Sequence, residues 1–356
     1  MIHSRDCFHY SRSMSEALNS QWADLLVAAG SFRELGPWAW TNDSQVFGVK
    51  EPNREEIAWC AVLGMRGEVF GLAAYLGTPG LSIHGGIQTG KIGADSEEIR
   101  FGFPCLLASF EDRQGLEASD IALIRSLGLS FRGRNSWPQF RSHRRGWYPW
   151  RLEGSEVALL TDVLRQAYVA CSRLRSEPDL LMPPHAQELL VRVIAENGEW
   201  VDQWMKPVLL PPVALPEPTI DEHEVAGLKA LISRREGIWE GNLFYVPTPT
   251  REKRNERPYY PVAMVWADQR SGLILAMELL PQADDPDLRA QALTGRLLAL
   301  VKEHHRIPRA IHVSRPALAA ALSGAAGIIG CELLVSKHLP AIEELKKSLF
   351  SRFTGR

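Results

Sequence analysis

The stretch 238–280, IWEGNLFYVPTPTREKRNERPYYPVAMVWADQRSGLILAMELL, constrains the fold most. It holds three apolar runs, 239–246, 262–266 and 273–279, rich in Val, Met, Trp, Ile and Leu and too short for ordinary helices. The last two flank the polar turn ADQRSG, which lets the chain reverse, so they predict a β-hairpin with a third strand ahead of it. Strands of this kind need a sheet, and a sheet needs helices or another sheet on its apolar faces.

Helical periodicity follows directly. Leu288, Ala292, Leu297, Leu298 and Val301 mark a helix over 287–304. Beyond it, 309–313 reads as a short strand, 316–322 as a helix, 332–335 as a last strand and 340–350 as a final helix. An acidic cap and helix over 221–235 open this half, so the order from 239 onward is β-β-β-α-β-α-β-α.

The first half has a similar texture. After a polar, patternless tail over 1–13, Leu18, Trp22, Leu25, Leu26 and Ala29 recur at helical spacing, with Gly30 as the expected cap. Strands are expected over 45–49, 57–63, 69–76 and 104–110, and helices over 119–127, 155–173 and 185–199. The Val157, Leu160, Val163, Leu164 and Tyr168 face defines the second of those helices. The strings CAVLGMRGEVFGLAAYLG and AMVWADQRSGLILAMELL each place a strand, an Arg-containing turn and a second strand, which hints at two similarly built halves. Between the halves runs KPVLLPPVALPEP, 206–218, whose five prolines fix φ and remove donors, so it reads as a linker or a surface arm. The expected organisation is α+β in two domains, 14–205 and 219–356.

Bulk properties narrow the function. A chain of 356 residues suits two domains of ordinary size. A net charge of -2 argues against a protein whose whole surface binds nucleic acid. Cys7, Cys60, Cys105, Cys171 and Cys331 are far apart and form no CxxC pair, which points to a reducing compartment rather than a disulfide framework or zinc site. No apolar run approaches the ~20 residues needed to span a bilayer, and the cytoplasm is the expected location.

Two stretches carry unusual composition. The glycine-rich TPGLSIHGGIQTGKIG, 78–93, lacks both GxxxxGK[ST] and GxGxxG, and reads as a mobile connection rather than a phosphate loop. In FRGRNSWPQFRSHRRGWYPW, 131–150, Arg141, Arg144 and Arg145 alternate with aromatic residues including Trp137 and Trp147. Guanidinium groups for phosphates and rings for bases are what a single-stranded nucleic-acid groove needs. The same composition suits a long loop anchored on a core by its rings, with its arginines solvated or paired to Glu153 and Glu156.

The pieces IWEGNLFYV, VAMVWADQRSGLIL, IPRAIHVSRPAL and LPAIEELKKSLF, in the element order above, resemble the integrase and transposase branch of the RNase H-like fold. The likeness covers about a third of the chain. It implies an RNase H-like C-terminal domain and, for an active member, Mg²⁺ held by carboxylates from separate elements. On that pattern the first-strand acid falls near Asn242, with Glu240 two residues earlier, and the second falls at Ser314, which has no carboxylate. The whole chain also resembles uncharacterised two-domain bacterial proteins in which these two blocks occur together, a resemblance that implies no activity.

Two-metal phosphodiester cleavage brings several carboxylates to ions ~3.5 to 4 Å apart. The acids available here are Glu240, Asp268 and either Glu343 or Glu344, with Asp268 in a hairpin turn where turn chemistry alone explains it. His304 and His305 are neighbours on a helix and face different directions, and no G-x-S-x-G elbow exists. The expectation is therefore a non-catalytic binding or interaction protein without a cofactor, its partner a protein or a single-stranded nucleic acid. The alternative is a divergent Mg²⁺-dependent nuclease using those acids, or a nucleic-acid-binding protein.

Overall fold

The computed structural model describes residues 18–208, 215, 216, 218, 219, 221, 223, 226, 227, 232, 234–280 and 286–354. The expected tail 1–13 with Cys7, much of the linker 206–218 and most of the helix 221–235 lie outside the described residues. The chain divides into two compact units, Met1–Arg145 with Pro149–Leu210, and Gly146–Tyr148 with Pro211–Arg356.

In the first unit, α1 (Asn19–Leu35) precedes the meander β1 (Val46–Lys50), β2 (Ala58–Leu63) and β3 (Phe70–Leu76). Helices α2 (Gly77–Gln88) and α3 (Glu97–Arg100) lead to β4 (Cys105–Glu111). Next come α4 (Ala118–Ser126), β5 (Trp137–His143), α5 (Gly154–Ser176) and the hairpin β6 (Leu189–Ile194) and β7 (Trp200–Met205). The sheet runs β5-β4-β3-β2-β1-β6-β7. The α5 crossover lets β6 return parallel to β1, which a tight turn cannot do. Leu25, Ala29 and Phe32 of α1 and Val157, Leu160 and Leu164 of α5 bury one sheet face with Phe47, Val49, Leu72 and Leu106.

Several expectations need correction. The segment 185–199 is not a helix: Leu189–Ile194 is a strand, and Asn197-Gly198, with Gly198 at φ 84, turns it into β7. Val191 and Val193 stiffen an extended backbone, and only Gly accepts that φ without strain. The stretch 78–93 is mostly α2, not a loop. Its Gly80 lies so close to the sheet that an added Cβ would stand 2.8 Å from the Tyr75 carbonyl carbon, so the glycine allows close packing. The 131–150 segment contains the edge strand β5, paired with β4 from Trp137↔Glu111 to His143↔Cys105. α1 ends at Gly36, φ 63, whose N–H donates to Phe32 O, while Gly30 stays inside the helix. Tyr168 is 41% exposed and leaves the α5 face.

The second unit opens with β8 (Ile238–Tyr245), β9 (Val262–Asp268) and β10 (Ile274–Leu280). Then α6 (Pro286–His304), β11 (Ala310–Val313), α7 (Pro316–Ile329), β12 (Glu332–Val335) and α8 (Pro340–Thr354) alternate. The helix expected to stop at 322 runs on to Gly330, which caps it at φ 68. The sheet order is β10-β9-β8-β11-β12, with β8, β9 and β10 antiparallel and β11 and β12 parallel to β8.

The β8 alternation divides two environments. Trp239, fully buried, meets His304 of α6 edge-on at 6.1 Å. On the other face, Phe244 and Val246 join Val265 and Ala267 under Leu339, Ala341 and Ile342 at the start of α8.

Both units thus contain a three-stranded meander whose first strand gains a parallel neighbour. In each, a glycine on the first strand faces a tryptophan on the second: Gly48↔Trp59 and Gly241↔Trp266. Each glycine also pairs with a valine on the parallel strand, Gly48↔Val191 and Gly241↔Val313. A Cβ on Gly241 would sit 2.8 Å from the Trp266 ring, and one on Gly48 2.8 Å from Ile57. The indole covers the strand where the glycine has no side chain.

Candidate functional site

Glu240 and Asn242 are two residues apart on β8, so their side chains share the face that α8 covers. Parallel pairing sets His312 beside Glu240 and Val313 beside Gly241, and the next residue, Ser314, reaches Asn242. Ser314 Oγ donates to Asn242 Oδ1 at 2.8 Å, and the Leu243 N–H donates to the same oxygen at 2.9 Å. Arg315 closes the corner, donating from Nη2 to Leu243 O at 2.7 Å. The two positions at which the RNase H-like resemblance implies acids are therefore together, and an amide and a hydroxyl occupy them.

Glu240 has no exposed surface, and its Oε2 accepts the Ile342 N–H at 3.0 Å. That N–H belongs to the first turn of α8, where helix donors lack intrahelical acceptors and the dipole favours negative charge. The carboxylate thus ties β8 to α8. Its Oε1 makes no hydrogen bond of ordinary geometry among the described residues. Burial pushes the Glu240 carboxyl above its ordinary value, against the pull of Ile342 and Ala341 N–H groups, the Gln269 amide and His312. Gln269 Nε2 stands 3.3 Å from His312 Nδ1.

Asp268 does not join Glu240. It pairs across the sheet with Trp239, whereas Glu240 pairs with Ala267, and adjacent residues of a strand point to opposite faces. Asp268 accepts the Ser271 N–H at 3.0 Å and the Ser271 hydroxyl at 2.9 Å, closing the β9–β10 turn, and Arg306 Nη2 donates to it at 3.0 Å. Burial would raise its pKa, but the Ser271 donors and the Arg306 guanidinium outweigh that and hold it below the ordinary value. Glu343 turns back to accept the Leu339 N–H at 3.1 Å. Glu344 is 80% exposed beside Lys347.

Among the described residues, no group of three His, Cys, Asp or Glu side chains could hold a metal ion. Hard Mg²⁺ wants several charged oxygens. A neutral Asn–Ser pair, one carboxylate spent on a helix terminus and one on the opposite sheet face do not fit a two-metal centre. Sequence alone could not identify His312 and Gln269 as Glu240's neighbours, because the β8–β11 register brings His312 there and the β8–β9 register brings Gln269.

The basic residues of 131–150 part ways. Arg141, 8% exposed, donates to Asp120 at 2.9 and 2.7 Å and pairs with Glu117 at 3.2 Å. Arg144 reaches Glu153 at 2.9 Å and Glu156 at 2.8 Å. Arg145 is exposed. Trp137 meets Phe131 edge-on at 5.9 Å, beneath the Arg113 guanidinium. Trp147 belongs to the second unit, edge-on to Tyr259 at 6.0 Å. Sequence reading also missed the buried Arg192, which donates to Asp202 at 2.6 Å and to Gln166 at 3.2 Å, because it assigned a helix there.

Comparison with known proteins finds two family matches on separate stretches of the chain. Residues 22–192 match a domain of unknown function (DUF7309), and residues 224–350 match a second domain of unknown function (DUF6930). No curated protein matches the chain. A solved structure described as the crystal structure of the Mos1 strand transfer complex aligns over 77% of this chain and 70% of that one. Its identity is 15% and its TM-score 0.21, too low to bear on the fold. The class defined is a mixed α+β protein with one sheet in each unit. No described helix is long and apolar enough to cross a membrane.

Proposed function

We propose that this protein is a non-catalytic binding protein whose C-terminal unit is an RNase H-like domain with its metal site dismantled. The carrying observation is the 2.8 Å hydrogen bond from Ser314 to Asn242, a neutral pair where metal-dependent members of that fold need acids. The β-β-β-α-β-α-β-α order, with β8 between β9 and β11, supports the RNase H-like reading. On this reading the protein works in the cytoplasm without a cofactor, and its domains divide as 14–205 and 219–356 around a linker over 206–218.

The test is cleavage. Purified full chain incubated with labelled single-stranded and duplex DNA and RNA, with Mg²⁺ or Mn²⁺, leaves every substrate intact. Metal-dependent cleavage that disappears in Glu240→Gln overturns the proposal and favours the nuclease alternative.

A further inference from the structure

The connection between β8 and β9, residues 246–261, is far longer than neighbouring antiparallel strands need, since two to five residues suffice for most hairpins. Loops that long with a built structure are commonly functional. This one is built. Thr250 and Tyr259 exchange backbone hydrogen bonds at 2.8 and 2.7 Å. The segment Gly146–Tyr148, part of the same compact unit, adds a second layer: the Tyr148 N–H donates to Pro258 O at 2.9 Å and the Tyr260 N–H to Gly146 O at 2.8 Å. The base is thus a small ladder, and the tip 251–256 projects from it with every residue exposed.

The chemistry of the tip is cationic. Arg251, Lys253, Arg254 and Arg257 outnumber Glu252 and Glu256 on a chain whose net charge is -2, so the positive charge is local. Lys253 and Glu256 pair at 3.2 Å in the open, where such a pair contributes little. Aromatic rings lie at the foot of these cations. Arg257 sits 6.0 Å over the Trp147 ring and donates from Nε to Tyr148 O at 2.9 Å. Tyr148, 40% exposed, lies 6.4 Å from Tyr260 at an angle of 51°. The Trp147 ring of the 131–150 segment therefore meets the Arg257 guanidinium of this loop.

We infer that the tip 251–257, with the Tyr148 and Tyr260 rings at its base, docks a single-stranded nucleic acid. Exposed guanidinium groups answer phosphates, and an exposed ring offers a face for an unpaired base, which a duplex does not present. An acidic protein would use the cations and leave the rings without a role. The inference names a partner for the binding reading above and rests on that reading, but it uses residues other than Asn242, Ser314 and Glu240.

The experiment is fluorescence anisotropy of a labelled oligo-deoxythymidine with the full chain, at about 50 and about 200 mM salt. Binding is expected in the micromolar range at the lower salt, and to weaken roughly 20-fold at the higher if three phosphates are neutralised. Arg251→Glu with Arg254→Glu weakens it at least ~10-fold by reversing two of those contacts. Tyr148→Ala, which keeps the backbone bond to Pro258, weakens it ~5-fold or more. Arg270→Glu, a charge reversal on the β9–β10 turn, leaves affinity within ~2-fold, because it lies outside the docking loop. Circular dichroism melts confirm that each variant is folded. No binding at the lower salt, wild-type affinity in both loop variants, or an equal loss in Arg270→Glu overturns the inference. Polyglutamate binding as tightly as the oligonucleotide does so too, and identifies an acidic protein as the partner class. Cleavage of the oligonucleotide sinks the non-catalytic reading instead, whichever way affinity falls.

Discussion

Ser314 Oγ and Asn242 Oδ1 are joined by a 2.8 Å hydrogen bond that ties the end of β11 to the middle of β8. Two carboxylates at those positions would repel each other and need cations between them. The neutral pair needs none. Ser314→Ala should cost about 1 kcal/mol, the value of a typical hydrogen bond. Asn242→Asp with Ser314→Asp should cost more in chelator and recover part of the loss with divalent cation. Chemical denaturation with and without Mn²⁺ reads both effects.

Glu240 makes a pH prediction. Its folded-state pKa is raised above 4.5, so the folded protein holds a proton that the unfolded chain releases. The stability it contributes is complete below the unfolded pKa and is lost as pH rises through the folded pKa. Glu240→Gln keeps an acceptor for the Ile342 N–H and does not titrate. Its stability relative to wild type should therefore climb as pH rises from the unfolded value through the raised folded-state value. A flat difference across parallel melts in that range contradicts the burial described for this carboxylate.

Asp268 behaves in the opposite sense. Its pKa is lowered by the Ser271 donors and Arg306 despite burial, so its contribution is present above the unfolded value and disappears as pH falls through the folded one. Asp268→Ala removes an acceptor of two turn hydrogen bonds and the partner of Arg306, and should cost about 2 to 3 kcal/mol at neutral pH. Much of that penalty should vanish in acid, as unfolding curves at the two pH values will show.

Gly241 tests the packing beneath the site. A methyl group there would stand 2.8 Å from the Trp266 ring, inside contact distance, and Trp266 is itself fully buried. Gly241→Ala should destabilise the protein by about 1 to 3 kcal/mol, as overpacked cores do. Adding Trp266→Leu should restore part of the loss. If the two substitutions cost simply the sum of their separate effects in a double-mutant cycle, the ring does not cover the glycine.

The C-terminal order was legible because each element carries its own signal. Apolar runs bounded by turns mark β8, β9 and β10, and the spacing of Leu297 and Val301 marks α6. Signals failed where local pattern and tertiary use diverge. Gly80 looks like loop chemistry but lets α2 lie against Tyr75, and Leu189–Ile194 shows apolar spacing that a short helix would share. The Asn197-Gly198 turn was the clue for the latter. At the site, the identities of Asn242 and Ser314 were visible in the sequence. Their hydrogen bond, and the separation of Glu240 from Asp268 onto opposite faces, depend on strand register, which residue spacing alone does not specify.

The central claim is the proposal that the β8–β11 face of the second unit, around Glu240, Asn242 and Ser314, holds no metal. Thermal unfolding of the full chain during a Mn²⁺ titration tests it most directly, because a bound ion stabilises the folded state by mass action. The account predicts no saturable rise in Tm at millimolar Mn²⁺, in wild type and Glu240→Gln alike. A stoichiometric, saturable rise in wild type that Glu240→Gln abolishes would contradict it.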